Sequence, residues 1–205
     1  NDVKLYITKL RMSKTAGGIN DDDRRFNGLN SVLLADKGSR VTIDDCEIRS
    51  NTPLADGVSA IGAGTEVRMT KGLVATTRVT SSGVNALKDG LVYVTATEVN
   101  TYSNQSAAFF TAQGGKMDIS EAIGSSNGQA SPLFYSSGTL NGYRCHMSSA
   151  KWTIGNVDGG TLTLDKNELT SGGICGFLLY NVNVKEGLGI LNLSNNKITV
   201  NEGPV

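Results

Sequence analysis

Apolar residues recur along this chain in a small fixed pattern: apolar, any, apolar, two residues, small or Asn, any, apolar. It reads as Val3-Leu5-Thr8-Leu10, Val41-Ile43-Cys46-Ile48, Val67-Met69-Gly72-Val74 and Val92-Val94-Thr97-Val99. It continues as Met117-Ile119-Ala122-Gly124, Leu140-Gly142-Cys145-Met147, Leu162-Leu164-Asn167-Leu169 and Leu191-Leu193-Asn196-Ile198. From Val41 onward the starts lie 22–29 residues apart, and the first interval is 38. Alternate residues of a strand face opposite ways, so the first two anchors of each repeat point inward together. One winding cannot bury that face alone. Windings stacked about 4.8 Å apart bury a continuous core and pair every strand with those above and below. The pattern therefore predicts an all-β fold: a right-handed parallel β-helix of about eight coils, with residues 1–205 as one domain.

A second apolar segment precedes most anchors, among them Ser31-Val32-Leu33-Leu34, Val84-Asn85-Ala86-Leu87, Ala108-Phe109-Phe110 and Phe177-Leu178-Leu179-Tyr180. Each of these coils is thus expected to carry at least two short strands, with turn-rich stretches such as Ala112-Gln113-Gly114-Gly115 between them. Residues 11–27 and 181–189 break the rhythm and are expected to project as loops, where solenoids often carry function. The third column reads Thr8, Cys46, Gly72, Thr97, Ala122, Cys145, Asn167, Asn196. These small or polar residues are expected at a tight bend, with Asn167 and Asn196 stacking their amides. In that register Cys46 and Cys145 lie four coils, about 19 Å, apart. That is too far for a disulfide.

Composition adds little to this picture but agrees with it. Glycines number 25 and prolines 3, which suits a chain that turns often and pairs strands between turns. Charge balances at 19 basic against 19 acidic residues, so nothing in bulk electrostatics calls for nucleic acid as a partner. No apolar run reaches the roughly 18 residues of a membrane span. The opening Asn1-Asp2-Val3 reads as the start of a strand, as in a mature chain or an excised domain.

Short Val-, Ile- or Leu-rich strands alternate with glycine-marked turns in GVNALKDGLVYVTATEVNT and GGTLTLDKNELTSGG. In this the chain resembles the pectate-lyase-like superfamily of right-handed parallel β-helices, and within it the adhesin-like β-helix domains of microbial surface proteins. The resemblance is one of architecture. It implies a secreted or cell-surface setting and transfers no site.

Candidate chemistry is sparse. Polysaccharide-cleaving members of that superfamily carry acidic clusters with Arg, Lys or His on one face, and the polygalacturonase-like ones show N-T-D, D-D, G-H-G and R-I-K elements, of which this chain lacks N-T-D, G-H-G and R-I-K. Asp44-Asp45 is an acidic pair without those companions and reads as a solvated turn. His146 follows Cys145, but neighbours in a strand face opposite sides, so the pair is not expected to act together. Three cysteines and one histidine show no zinc-ligand spacing. Gly124-Ser125-Ser126-Asn127-Gly128 matches G-x-S-x-G, yet no helical run follows to form the elbow that motif needs. Asp21-Asp22-Asp23 lacks calcium-loop spacing and is followed by Arg24-Arg25. No metal and no cofactor is expected.

The residues between inward anchors outline a candidate surface. One outward column reads Thr42, Arg68, Tyr93, Asp118, Asn141, Thr163, Asn192. Its neighbour reads Asp44, Thr70, Thr95, Ser120, Tyr143, Asp165, Ser194. Arg68, Tyr93, Asp118 and Tyr143 are the candidate binding residues on this face, since tyrosine rings beside polar groups suit sugars. Three readings follow. The first is a non-catalytic surface module binding glycan or a protein partner. The second is a lyase or hydrolase of acidic polysaccharide, with Arg68, Asp118, Asp44 and Lys116 as its nearest residues. The third is a structural spacer. Strand-like ends also predict end-to-end self-association.

Overall fold

The computed structural model describes residues 3–17, 28–182 and 187–201. The chain begins with β1 (Lys4–Thr8) and β2 (Arg11–Lys14), followed by β3 (Ser31–Asp36), β4 (Arg40–Ser50), β5 (Asp56–Ile61) and β6 (Glu66–Thr76). Each later winding contributes three short strands. These are β7 (Val84–Leu87), β8 (Leu91–Thr95) and β9 (Glu98–Thr101), then β10 (Phe109–Ala112), β11 (Lys116–Ser120) and β12 (Ile123–Ser126). Next come β13 (Phe134–Ser136), β14 (Thr139–Tyr143) and β15 (His146–Ser149), then β16 (Gly155–Asp158), β17 (Thr161–Asp165) and β18 (Glu168–Ser171). The last are β19 (Phe177–Tyr180), β20 (Ile190–Ser194) and β21 (Lys197–Val200). No helix among the described residues is long and apolar enough to cross a membrane.

All pairings are parallel. They form a 14-stranded sheet and a 7-stranded sheet. The larger sheet folds into two walls, so the rod has three faces. Its first wall stacks eight rungs, β1, β4, β6, β8, β11, β14, β17 and β20, close to the eight coils predicted. Val41, Val67, Val92, Met117, Leu140, Leu162 and Leu191 lie in one register line. Val67, Val92, Met117, Leu140 and Leu162 are fully buried. Each such side chain contributes about 1.5–3 kcal/mol.

The bend between the two walls is the same in every coil. Lys9, Asp45, Lys71, Ala96, Glu121, Arg144, Lys166 and Asn195 all adopt φ of 47–59° there. A side chain in that left-handed region costs about 1 kcal/mol, and pairing to the next coil offsets it. Ala96 N–H, for example, donates to Ser120 O at 2.9 Å. At the inward position just after the bend, Asn167 donates to Asn196 Oδ1 at 2.9 Å, so the predicted amide ladder exists. All three cysteines are free thiols, and burial raises the Cys145 thiol to about 11.

Two sequence expectations change. In the first coil Leu5, not Val3, pairs with Val41, Thr8 pairs with Asp44, and Leu10 comes level with Cys46. A slip of two residues keeps the same face inward, so alternation alone could not choose between these registers. Residues 11–14 of the expected loop are strand β2, paired with β4. Residues 18–27, including Asp21-Asp22-Asp23, lie outside the described residues, as do 183–186 of the second expected loop.

The smaller sheet supplies the rest of the core. Leu33, Val58, Val84, Phe109, Phe134, Gly155 and Phe177 form its inward line. Volumes compensate across the interior, as close packing requires. Phe134 reaches toward Gly142, where the opposite wall lacks an apolar anchor. Gly155 leaves room for Leu162 and Phe177, which a Cβ would meet at 2.6 and 2.9 Å. The third corner is held by buried hydroxyls. Thr101 donates to Ser106 O at 2.8 Å and Ser126 to Ser131 O at 2.7 Å, while Ser81 N–H donates to Ser106 Oγ at 3.0 Å.

Candidate functional site

The predicted outward columns of the first wall stand in the predicted register, Arg68 beside Tyr93, Asp118 and Asn141, with Tyr143 in the neighbouring line. Arg68 is already engaged. Its guanidinium lies 4.1 Å from the Tyr93 ring centroid and pairs with Glu66 at 2.5 Å. Asn141 donates to Asp118 Oδ1 at 2.8 Å. Arg144 and Lys166 flank the Tyr143 ring at 4.7 and 5.3 Å. Tyr93, Asp118 and Tyr143 border one shallow depression of about 290 Å³, and Arg68 lies outside it. Most of the polar groups on this face are therefore satisfied by each other.

The motifs set aside in the sequence have structural roles. Ser126 is fully buried at the end of β12 and its hydroxyl is used in the corner, so the G-x-S-x-G segment is partly strand and not wholly turn. Cys145 is buried while His146 is exposed and faces Glu168 at 3.3 Å. Asp45 sits at the wall bend and Asp44 in the outward column. Among the described residues, no three His, Cys, Asp or Glu gather as a metal site.

A deeper site lies where the sequence showed only an apolar strand. The outer line of the smaller sheet runs Leu34, Ser59, Asn85, Phe110, Tyr135, Asn156, Leu178. Beside it run the third-corner residues Thr80, Gln105 and Ala130, each with φ near 54°. Between the two lines is a groove of about 380 Å³. It runs along the rod, because both of its walls are columns of successive coils. From Asn85 to Leu178 it spans four spacings, about 19 Å.

The groove mixes amides and hydroxyls with aromatic rings. Phe110 and Tyr135 stack at 4.6 Å between centroids and 7° between planes. Their separation matches the coil spacing, so they stack along the rod and turn ring edges to the groove. Trp152 and Tyr180 add two further rings. Asn85 Oδ1 and Trp152 Nε1 are sealed from solvent without a hydrogen-bond partner. An unpaired buried group costs about 1–3 kcal/mol.

One carboxyl, Asp56, borders this site, and a second, Asp158, is linked to it through the Tyr135 hydroxyl. Asp56 is 7% exposed and its Oδ1 accepts the Ser82 N–H at 2.7 Å. Burial raises its pKa to about 7, against the lowering pull of the Ser82 and Asn85 hydrogen bonds. Asp158 accepts the Tyr135 hydroxyl at 2.7 Å and the Val182 N–H at 2.8 Å. Burial first, and then that carboxylate, hold the Tyr135 phenol above its usual range. No lysine, arginine or histidine is among the described residues bordering the groove.

In sequence, the missed signal is a pair of hydroxyl residues five apart that recurs every 25: Thr76 with Ser81, Thr101 with Ser106, Ser126 with Ser131. It marks the corner that forms one wall of the groove. Compared with protein-family models, curated proteins and solved structures, the chain matches none of them.

Proposed function

We propose that this chain is a non-catalytic β-helix module of a secreted or surface protein, adhesin-like in kind, and that it holds a glycan chain in the groove of its smaller sheet. The observation that carries this reading is the lining. Thr80, Asn85, Gln105 and Asn156 offer neutral hydrogen-bonding groups, while Phe110 and Tyr135 offer apolar ring edges and Trp152 an indole. A sugar ring presents hydroxyls and apolar C–H groups together, and such mixed sites bind it. The unpartnered Asn85 Oδ1 and Trp152 Nε1 belong to residues that line this groove and add polar groups of both kinds to it.

The raised pKa of Asp56 is a property of general acids. Hydrolysis of a glycosidic bond by paired carboxyls needs them about 5–10 Å apart. Asp158 lies four rungs from Asp56, about 19 Å along the rod, so these two do not form such a pair. The burial of Asp56 beneath Ser82 and Asn85 favours a structural role for it.

A glycan array with three proteins tests the proposal. Ala130→Trp fills the groove from an exposed position, and Tyr143→Ala alters the first wall. Binding by the wild type and Tyr143→Ala, with loss in Ala130→Trp, is the expected result. Loss in Tyr143→Ala alone moves the site to the first wall. No binding by any of the three leaves the spacer reading.

A further inference from the structure

We infer that the groove selects an uncharged glycan and rejects polymers of uronic acids, an inference that rests on the glycan-binding reading above. Three features of the site point the same way.

The first is charge. A carboxylate ligand is held by guanidinium, ammonium or clustered N–H donors. The described residues bordering the groove include no cation, and the titratable acids at it are Asp56 and, through Tyr135, Asp158. A uronate entering this space meets its own sign of charge and loses water without compensation.

The second is the sense of the hydrogen bonds. Asn85 Nδ2 donates to Ser59 Oγ at 3.3 Å. The unpaired atom is the acceptor Oδ1. Asn156 Oδ1 is already taken by Thr153 Oγ1 at 2.6 Å. Trp152 Nε1–H is an unmet donor in the same groove, so a ligand group that both donates and accepts suits the pair. A sugar hydroxyl does both, whereas an ionised carboxylate only accepts.

The third is the Tyr135 hydroxyl, the one phenol of the stacked pair. It is committed to Asp158 and is not offered to an anion.

The test compares affinities by isothermal titration at pH 7.5. The neutral probes are xyloglucan, mannan and galactan fragments. The acidic probes are polygalacturonate, alginate and hyaluronan fragments of matched length. Ala130→Trp reports whether binding runs through the groove. Gln105→Lys adds a cation at its rim, at a backbone conformation that Lys71 and Lys166 already adopt in this chain. The expected result is at least ten-fold tighter binding of a neutral probe, lost in Ala130→Trp, with acidic binding gained in Gln105→Lys. If an acidic probe binds the wild type as tightly as any neutral one, and Ala130→Trp abolishes it, the charge inference is overturned while the glycan reading stands. If no probe binds through the groove, both are overturned.

Discussion

The hydroxyl of Tyr135 donates to Oδ2 of Asp158 at 2.7 Å, one coil further along the rod. The other oxygen of Asp158 accepts the Val182 N–H, so this carboxylate ties two neighbouring windings and the segment after β19 together. Tyr135→Phe keeps the stack on Phe110 and removes one hydrogen bond to a charged acceptor. A loss of about 1.5–3 kcal/mol in unfolding free energy is expected, read by urea denaturation. Glycan affinity is expected to change less than three-fold, because the hydroxyl faces Asp158.

Asp56 makes stability depend on pH. Its pKa in the fold is about 7, against 3.8 when exposed, so the folded state holds more protons between those values. Stability therefore falls as pH rises from about 4 to 7 and is level beyond. Asp56→Asn keeps an oxygen for the Ser82 N–H and removes the ionisation. It should raise stability at pH 8 by a few kcal/mol, since each ten-fold difference in proton affinity between the folded and unfolded chain is worth about 1.4 kcal/mol. At pH 4 it should change little. Thermal melts of both proteins across this range check the difference.

Asn167 is 2% exposed and serves three partners: its Oδ1 accepts the Cys145 N–H at 2.7 Å, and its Nδ2 donates to Gly142 O and Asn196 Oδ1. Asn167→Ala strands two buried backbone groups of the neighbouring coil, the Cys145 N–H and the Gly142 carbonyl. A cost of about 3–4 kcal/mol is expected in denaturant unfolding, from groups at about 1–3 kcal/mol each. Asn196→Ala, nearer the end of the described rod, should cost less.

Gly124 has φ of 135°, and a Cβ there would meet Val99 O at 2.1 Å. The backbone of the neighbouring coil cannot yield, so Gly124→Ala should lower the melting temperature sharply or abolish folding. Gly38 also has positive φ, at 76°, but open space surrounds it. Gly38→Ala should cost only about 1 kcal/mol, the price of the conformation alone. Similar losses in the two variants would show that contact with the next coil is unimportant at position 124.

The rod was legible because its anchors repeat with the same parity in every coil. Val41, Val67, Val92 and Met117 could be stacked without coordinates. The outward columns through Arg68, Tyr93, Asp118 and Tyr143 followed from that parity. The first coil was not legible, because Val3, Leu5 and Ile7 all alternate and a shift of two residues leaves the same face buried. The groove was hidden for a different reason. Ala108-Phe109-Phe110 reads as one apolar run, and only the pairing of Phe109 with Phe134 decides which ring enters the core and which turns outward. Its opposite wall runs through Thr80, Gln105 and Ala130, whose residue types change from coil to coil and so show no column in the sequence.

The chain contains a single tryptophan, and it borders the groove with its indole nitrogen unpaired. Indole emission shifts with the polarity and hydrogen bonding of its surroundings. Fluorescence of the unlabelled protein is therefore a direct optical gauge of occupancy. A titration that moves the emission of Trp152 in the wild type, but not in Ala130→Trp once its added indole is subtracted, reports filling of this groove and of no other surface.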